Sequence, residues 1–393
     1  MKILLANKFY YRRGGDCIYT INLEQLLKRQ GHEVAVFAMQ YPENLPSEWS
    51  KYFLDEVKFS SGLGMIKAFL RPFGTREVRK KFNALLDDFQ PDVVHLNNIH
   101  SQLSPVIAKI AYERGIKVVW TLHDYKLLCP RYDCRRNDRE MCERCFTDKR
   151  QVLKNKCMKN SLFASVIACL EALKWSKEKL ERYAGDFICP SRFIHDKMIQ
   201  GGFHPDKLHI IHNFIDVDKT KTDRYEKDDY YCYVGRISME KGVETLIRAA
   251  SELPYNLKII GDGDLADSLS KRYPCKHIEF LGYKPWPEIK EITGKARFTA
   301  VPSEWYENNP LSIVESQCLG TPVLGANIGG IPELIEEGIN GFLFESGNSG
   351  DLKNAIEKMY QTGFDSAVIR QKAQARYSAT HYYDRLIPIY HIP

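Results

Sequence analysis

The sequence predicts an α/β protein of two domains, each built on a mostly parallel sheet. Three observations lead there. With 393 residues the chain is longer than one hydrophobic core usually supports. Short apolar runs alternate with segments of helical length, as strand–helix–strand units do. That alternation is interrupted once, at 214–229, by a polar and charged stretch without periodicity. The predicted division is therefore a first domain at 1–213, a linker at 214–229 and a second domain at 230–380.

In chain order, the strand-like runs of the first domain are 2–7, 33–39, 92–98, 117–123, 186–191 and 208–213. Helical segments at 16–30, 76–89 and 104–114 lie between them. The second domain repeats the alternation with runs at 230–235, 257–261, 278–282, 297–301, 322–326 and 341–344 and with shorter helices. In such sheets ligands bind beyond the carboxyl ends of the strands. No internal repeat or low-complexity tract is present.

Composition narrows the function classes. Hydrophobic residues at 44% and charged residues at 27% are ordinary for a soluble globular chain. No apolar run reaches the 18 residues that would suggest a membrane span. The N-terminal Met1-Lys2-Ile3-Leu4-Leu5-Ala6-Asn7 is too short for a signal peptide and reads as a first strand. The eleven cysteines are an odd number, and Cys169, Cys189, Cys232 and Cys318 sit inside apolar runs. Buried thiols of a cytoplasmic protein fit that pattern better than a disulfide framework. The net charge of +6 is too mild to point to nucleic acid. It suits an anionic substrate or membrane surface, or simply an excess of surface lysine.

The richest stretch is 301–315, VPSEWYENNPLSIVE. An apolar run ends at Pro302-Ser303 and a polar loop follows. Asn309-Pro310 then reads as an N-cap with proline in the first helical position. A strand, a loop and a helix start in this order make an anion site, lined here by Asn308, Asn309 and Leu311. Glu307 precedes the helix and Glu315 lies on it, near the face of Leu311 and Ser312. A ribose diol would donate hydrogen bonds to Glu315.

Five further motifs lie at predicted strand ends. In NKFYYRRGGD, Gly14-Gly15 opens the helix after the first strand and turns backbone N–H groups toward a ligand. It is not the GxGxxG fingerprint of dinucleotide sites. His123-Asp124 ends the strand at 117–123, where an imidazole can bind a hydroxyl. In GRISMEKG, Arg236 and Lys241 bring two cations to a strand end and helix start, suited to a diphosphate. Gly261-Asp262-Gly263 and Phe280-Leu281-Gly282-Tyr283 follow the next strands.

Glu-x7-Glu behind Pro-Ser-x-Trp-Tyr, GR-x4-KG and Thr121-Leu122-His123-Asp124 together resemble the retaining GT-B glycosyltransferases of family 4. The resemblance covers nearly the whole chain. It implies two Rossmann-like domains facing across a cleft, with a C-terminal helix at 381–393 returning to the first. It implies a donor that is a nucleoside-diphosphate sugar of UDP or GDP type. Arg236, Lys241 and Gly15 would hold the diphosphate, Glu315 the ribose, and Gly261, Gly282 and Tyr283 the region of the base. Glu307 would bind the transferred sugar, and His123 would act beside it. Gly14 and Asp124 would border the acceptor, a saccharide or lipid-linked saccharide used in cell-surface polysaccharide synthesis. Catalysis would need no cofactor or metal. A nucleotide-sugar epimerase of the same architecture is one rival. A non-catalytic polysaccharide-assembly protein is another, against which the intact Glu307, Glu315, Arg236 and Lys241 argue.

Residues 129–157 carry five cysteines. Cys142-x2-Cys145 has chelate spacing and, with Cys129 and Cys157, would complete a structural zinc site, leaving Cys134 spare. The same residues equally suit a reduced, solvated loop. Ten lysines and arginines within 131–159 suit an anionic acceptor such as a lipid diphosphate. This insertion resembles a subgroup of family 4 that acts on bacterial surface polysaccharides. The stretch 62–82 mixes large apolar residues with cations and reads either as a membrane-interface segment or as a helix packed on its own domain. Together these features predict a cytoplasmic enzyme docked on the inner face of the cell membrane.

Overall fold

The computed structural model describes residues 1–56, 68–137, 140–216, 220 and 226–391. The chain forms two compact units, Met1–Ile211 with Tyr383–Pro393, and His212–Tyr382.

The first unit holds strands β1 (Lys2–Ala6), β2 (Glu33–Phe37), β3 (Val93–Leu96), β4 (Lys117–Thr121), the short β5 (Arg135–Arg136) and β6 (Glu140–Met141), β7 (Asp186–Cys189) and β8 (Leu208–Ile210). Six of them form a parallel sheet in the order β2-β1-β3-β4-β7-β8. Ile3, Leu4, Leu5 and Ala6 are wholly buried, which explains why β1 is continuously apolar rather than alternating: helices cover both faces of a parallel sheet. Every predicted strand of this unit ran past the observed one at its carboxyl end. The residues shed there, among them Asn7, Asn97, Asn98 and His123, leave the ladder and line the rim. β5 and β6 pair antiparallel outside the main sheet.

From the C-terminal helix Ala379–Tyr390, the Tyr390 hydroxyl reaches His95 of β3, and Tyr383 meets His32 at 2.8 Å. The first part of the stretch 62–82 lies outside the described residues. Its second part enters the helix Arg76–Phe89, whose Val78, Phe82, Leu85, Leu86 and Phe89 are buried in the unit. That portion is packed on its own domain.

The second unit contains β9 (Tyr230–Val234), β10 (Asn256–Ile260), β11 (Ile278–Gly282), β12 (Thr299–Val301), β13 (Val323–Ala326) and β14 (Gly341–Phe344). They form a second parallel sheet in the order β11-β10-β9-β12-β13-β14. Both units are thus α/β, each built on a parallel, Rossmann-like sheet.

The stretch 214–229 is not a free linker where it is described. Phe214 and Ile215 are buried, Phe214 lies 4.4 Å from the Tyr382 ring, and the Ile215 N–H donates to Tyr377 O at 3.0 Å. Lys227 donates to Gly294 O at 2.8 Å and Thr321 Oγ1 at 2.7 Å. The polar average of the segment concealed two apolar anchors at its start. Residues 217–219 and 221–225 lie outside the described part.

Candidate functional site

At the carboxyl edge of the second sheet, four loops converge because glycines let them. Gly242 has φ +65°, and a Cβ there would stand 1.8 Å from the Pro302 carbonyl oxygen. The loop after β9 can therefore lie against the loop after β12, an approach sealed by Glu304 N–H donating to Glu240 O at 2.9 Å. Gly329, φ +62°, serves the loop after β13 in the same way, since a Cβ would come 2.4 Å from Glu307 O. Gly330 N–H donates to that oxygen at 2.7 Å. Gly261 N–H donates to Gly282 O at 2.9 Å, joining the ends of β10 and β11. Tyr283, just beyond, is 77% exposed.

This packing brings Lys241 to Glu307. Lys241 Nζ donates to Glu307 Oε1 at 2.6 Å, and Ser303 Oγ donates to the same oxygen at 2.7 Å. Lys241 also lies 5.0 Å from the Trp305 ring centroid, a cation–π contact. Burial alone pushes the Glu307 carboxyl up, but the Lys241 charge and the two hydrogen bonds outweigh it and hold the group below its ordinary range. Glu307 is thus an ionised, buried carboxylate whose charge is matched by a half-buried lysine. Arg236 is placed differently. It is largely exposed and paired with Glu240, four residues on.

The helix after this loop, Leu311–Cys318, starts one residue later than predicted, with Pro310 as its N-cap and no side chain capping its N–H groups. Asn309 fails as a cap because its side chain is engaged elsewhere. Its Oδ1 accepts from Asn213 N–H at 3.1 Å, and its carbonyl accepts from Asn213 Nδ2 at 2.9 Å. Asn309 Nδ2, buried, has no partner among the described residues. Leu311, Ser312 and Glu315 form the face of this helix that is not fully buried, while Ile313, Val314 and Cys318 enter the core. Asn308 lies next to Asn309 at the helix start, partly exposed.

The carboxyl edge of the first sheet is built from amides and imidazoles. His123 faces Asn97 Oδ1 at 3.0 Å and packs edge-on to Tyr19 at 4.8 Å. Burial pushes its imidazole down to about 4, against the opposing pull of Asp16 and Asp124, so the ring is neutral at neutral pH. Asp124 faces His100 Nε2 at 3.3 Å and accepts from Lys126 N–H at 2.9 Å. Burial pushes Asp124 up, yet His100 and these hydrogen bonds bring it down to about 2. Asn98 donates to Asp16 at 3.1 Å and Asn7 Oδ1 accepts from Asn98 N–H at 3.1 Å. Asn97 Nδ2 is buried without a partner among the described residues.

Gly14 and Gly15 do not make a strained turn. Gly14 has φ −160°, ordinary extended backbone, as N-cap of the helix Gly15–Arg29. A Cβ on Gly15 would meet nothing within 4 Å. The pair leaves open space over an uncapped helix start. Sequence reasoning missed Asn97, Asn98 and His100, and singled out Ser303 and Trp305 only as motif positions without a role. Asn97-Asn98 was legible in principle, as two adjacent amides closing an apolar run.

Three cysteines of the insertion, Cys129, Cys134 and Cys145, are buried, and Cys129 sulfur is hydrogen-bonded by the side chains of Cys134 and Cys145 and by the N–H groups of Arg131 and Cys134. These bonds hold the Cys129 thiol well below its ordinary range despite burial. Cys134 is fixed by the backbone of the same insertion. It precedes β5, and its carbonyl accepts from Cys142 N–H, just after β6, at 2.7 Å. Among the described residues no group of three or more His, Cys, Asp or Glu side chains stands ready to hold a metal ion. Among them, too, no helix is long and apolar enough to cross a membrane.

Comparisons with known proteins agree with the two-unit α/β fold. Residues 13–219 match the family model described as Glycosyltransferase Family 4, and residues 214–376 match that of Glycosyl transferases group 1. An uncharacterised glycosyltransferase of Methanocaldococcus jannaschii is 32% identical over 43% of this chain and 48% of its own length. The chain thus spans about half of that relative. An uncharacterised 42.6 kDa protein in the cps region of Klebsiella pneumoniae is 25% identical over 85% of this chain and 87% of its own. Among solved structures, Anabaena HepE in complex with UDP and glucose superposes with a TM-score of 0.70 at 20% identity, over 99% of this chain and 98% of that one. Sucrose-phosphate synthase from Thermosynechococcus elongatus gives 0.71 at 18%, with the same coverage. These structures share the fold.

Proposed function

The chain belongs to Glycosyltransferase Family 4, and from that premise we propose that it transfers a sugar, with retention, from a nucleoside-diphosphate sugar to a hydroxyl of a saccharide or lipid-linked saccharide. The carrying observation is the Lys241–Glu307 pair beside the uncapped start of the helix Leu311–Cys318. A diphosphate placed there meets a lysine charge, free backbone N–H groups and the positive end of a helix dipole, where negative charge grows as the sugar leaves. Lys241 and Arg236 neutralise that charge, and Arg236 leaves Glu240 to do so. Asn308, Asn309 and Leu311 border the phosphates. Glu315 accepts from the ribose diol. Gly261 and Gly282 border the base through backbone groups, beside Tyr283. Glu307 holds the transferred sugar and fixes Lys241.

His123, neutral and oriented by Asn97, accepts a hydrogen bond from a sugar hydroxyl, with Gly14 and Asp124 bordering the acceptor. No cofactor enters this chemistry. UDP is the first donor base to test, since the fold relative from Anabaena holds UDP with glucose. Cell-surface polysaccharide synthesis is the setting the sequence resemblance suggests, in the cytoplasm at the inner face of an anionic membrane. A structural zinc on Cys129, Cys142, Cys145 and Cys157, the set that chelate spacing suggests, belongs to the same reading and would require those thiols to gather around the ion.

The test is a binding screen with UDP, GDP and their sugars, followed by turnover with and without acceptor. We expect one nucleoside diphosphate to bind, turnover to require acceptor, and the product to keep the donor's anomeric configuration by NMR. Conversion of the donor sugar without acceptor would make the protein an epimerase. Elemental analysis near one equivalent of zinc, lost in Cys129→Ser, supports the metal site; less than about a tenth of an equivalent refutes it, because such sites bind tightly.

A further inference from the structure

The helix Leu162–Lys174 in the first unit is built inside out. Its buried residues are the small Ser165, Ala168 and Cys169 and the carboxylate Glu171, which is paired with Lys126 at 2.9 Å. Its large apolar residues face outward: Leu162 is 54% exposed, Phe163 59%, Leu170 49% and Leu173 49%. Half-buried Val166 and Ile167 fill the gap between them. A helix of a soluble domain normally turns its large apolar residues to the core, and single exposed leucines need no explanation, whereas a contiguous face does. Leu70, 54% exposed, lies near the same helix, where the neighbouring Phe69 ring packs edge-on against Phe163 at 4.7 Å.

The charge around this face is predominantly positive. From Arg144 to Lys179 there are nine lysines and arginines and three carboxylates, Asp148, Glu171 and Glu178. One of those three, Glu171, is already neutralised by Lys126. Arg150, Lys154, Lys156 and Lys159 precede the helix and are exposed, and Lys179 follows it, also exposed. An outward apolar strip flanked by cations complements an acidic bilayer, with large side chains among the acyl chains and cations among the headgroups. A second copy of the chain fits less well, since self-association through this face would set the two cation excesses against each other.

We infer that the outer face of the helix Leu162–Lys174, with its flanking lysines and arginines, is the surface by which the protein docks on an anionic lipid bilayer. This rests on the reading that the protein works at a membrane, and it places the contact on this helix. Docking there would bring a lipid-linked acceptor to the first unit by diffusion in two dimensions.

The experiment is flotation of the full chain with vesicles of equal parts phosphatidylglycerol and phosphatidylcholine, against pure phosphatidylcholine. The vesicles carry no saccharide, so the outcome is independent of donor and acceptor, and a failure here leaves the transferase reading intact. The parent protein should float with the acidic vesicles only, and less so as salt rises. The double variant Phe163→Asp/Leu170→Asp should lower partitioning about tenfold or more with its melting temperature unchanged. Lys156→Gln/Lys159→Gln should weaken binding chiefly at low salt. Leu170→Ser serves if the double variant misfolds. Absence of flotation by the parent, or equal flotation of parent and Phe163→Asp/Leu170→Asp, overturns the inference. So does a lipid-free dimer in sedimentation that those substitutions dissociate.

Discussion

The two sheets end in polar edges of opposite character. In the second unit the edge is ionic: a buried carboxylate, Glu307, is matched by Lys241 at 2.6 Å, with Arg236 and Glu240 paired beside it. In the first unit it is dominated by neutral donors and acceptors, Asn7, Asn97, Asn98 and His123, with Asp124 tied to His100. One edge is suited to a dianionic group whose charge increases during reaction, the other to hydroxyls that must be oriented but not ionised. Two six-stranded parallel sheets, of different strand order, therefore carry two different chemistries, and the difference resides in the few residues just past the strand ends. Each edge also keeps one buried amide nitrogen without a partner among the described residues, Asn97 Nδ2 and Asn309 Nδ2. Such groups are costly to bury unbonded, and a ligand hydroxyl or phosphate oxygen would satisfy them.

The largest expected effect breaks the ionic edge. Lys241→Ala removes a phosphate contact and also strands Glu307 as an unpaired buried carboxylate. Activity should fall by about a thousandfold or more, and stability by about 3 kcal/mol, since removing one partner of a buried pair leaves the other uncompensated. Arg236→Ala should cost activity by roughly 2–4 kcal/mol in the barrier with no change in melting temperature, because its side chain is exposed. Turnover assays beside urea unfolding distinguish the two. A folded Arg236→Ala protein with near-normal turnover would remove arginine from the diphosphate site.

The second prediction separates the edges by pH. His95 is fully buried, bonded to Thr121 at 2.7 Å, and burial pushes its imidazole down to about 3; His123 stands at about 4. Both values lie below the ordinary imidazole range, so the folded state favours the neutral rings. Their contribution to stability is complete above pH about 6.5 and is lost as pH falls toward 4 and below. For His95 the loss is on the order of 2 kcal/mol by pH 5. Glu307, held below its ordinary range, contributes above the unfolded carboxyl value and loses that contribution only at lower pH. Hydrogen exchange between pH 7.5 and 5 should therefore show β1–β4 losing protection before β9–β13. Equal loss in both units would mean that the histidines are not held neutral.

A smaller effect sharpens the neutral edge. Asn97→Ala deletes the partner of His123 while keeping the backbone that Trp120 Nε1 bonds at 2.9 Å. Stability should change by about 1 kcal/mol, the usual worth of one such bond. The acceptor kcat/KM should drop about tenfold with the donor KM unchanged, as expected for a lost orienting contact of this size. A change in donor KM alone would move Asn97 to the donor side.

The alternation of strands was legible because parallel strands buried on both faces read as unbroken apolar runs; 341–344 agrees with β14 to the residue. Their carboxyl ends were not, because Asn97, Asn98 and His123 continue the run in sequence while leaving the ladder in space. Glu307 and Lys241 were legible as motif residues, but their ion pair was not, since it depends on Gly242 letting two loops touch across 66 residues of chain. Asn309 misled as a cap because its competing partner, Asn213, lies 96 residues away. The inside-out helix Leu162–Lys174 was overlooked for a related reason. Its apolar content suggests a core helix, and only burial reveals which side faces out.

The smallest effect concerns the base. Gly282 closes β11 at φ +66° and its carbonyl accepts from Gly261 N–H at 2.9 Å, so backbone groups at this edge are fixed by strand geometry. Tyr283, by contrast, projects into solvent. If the base is held by backbone groups, Tyr283→Ala should change donor KM by less than about threefold, under 1 kcal/mol, and leave the melting temperature unaltered. Gly282→Val should do the reverse. A β-branched residue is strained at positive φ, so this substitution should displace the Gly261 contact and weaken donor binding more than truncating the tyrosine does. Isothermal titration of both variants with the nucleoside diphosphate that binds the parent provides the measurement. A tenfold loss in Tyr283→Ala with Gly282→Val unaffected would show that the ring stacks on the base, and would move this part of the ionic edge from backbone to side-chain recognition.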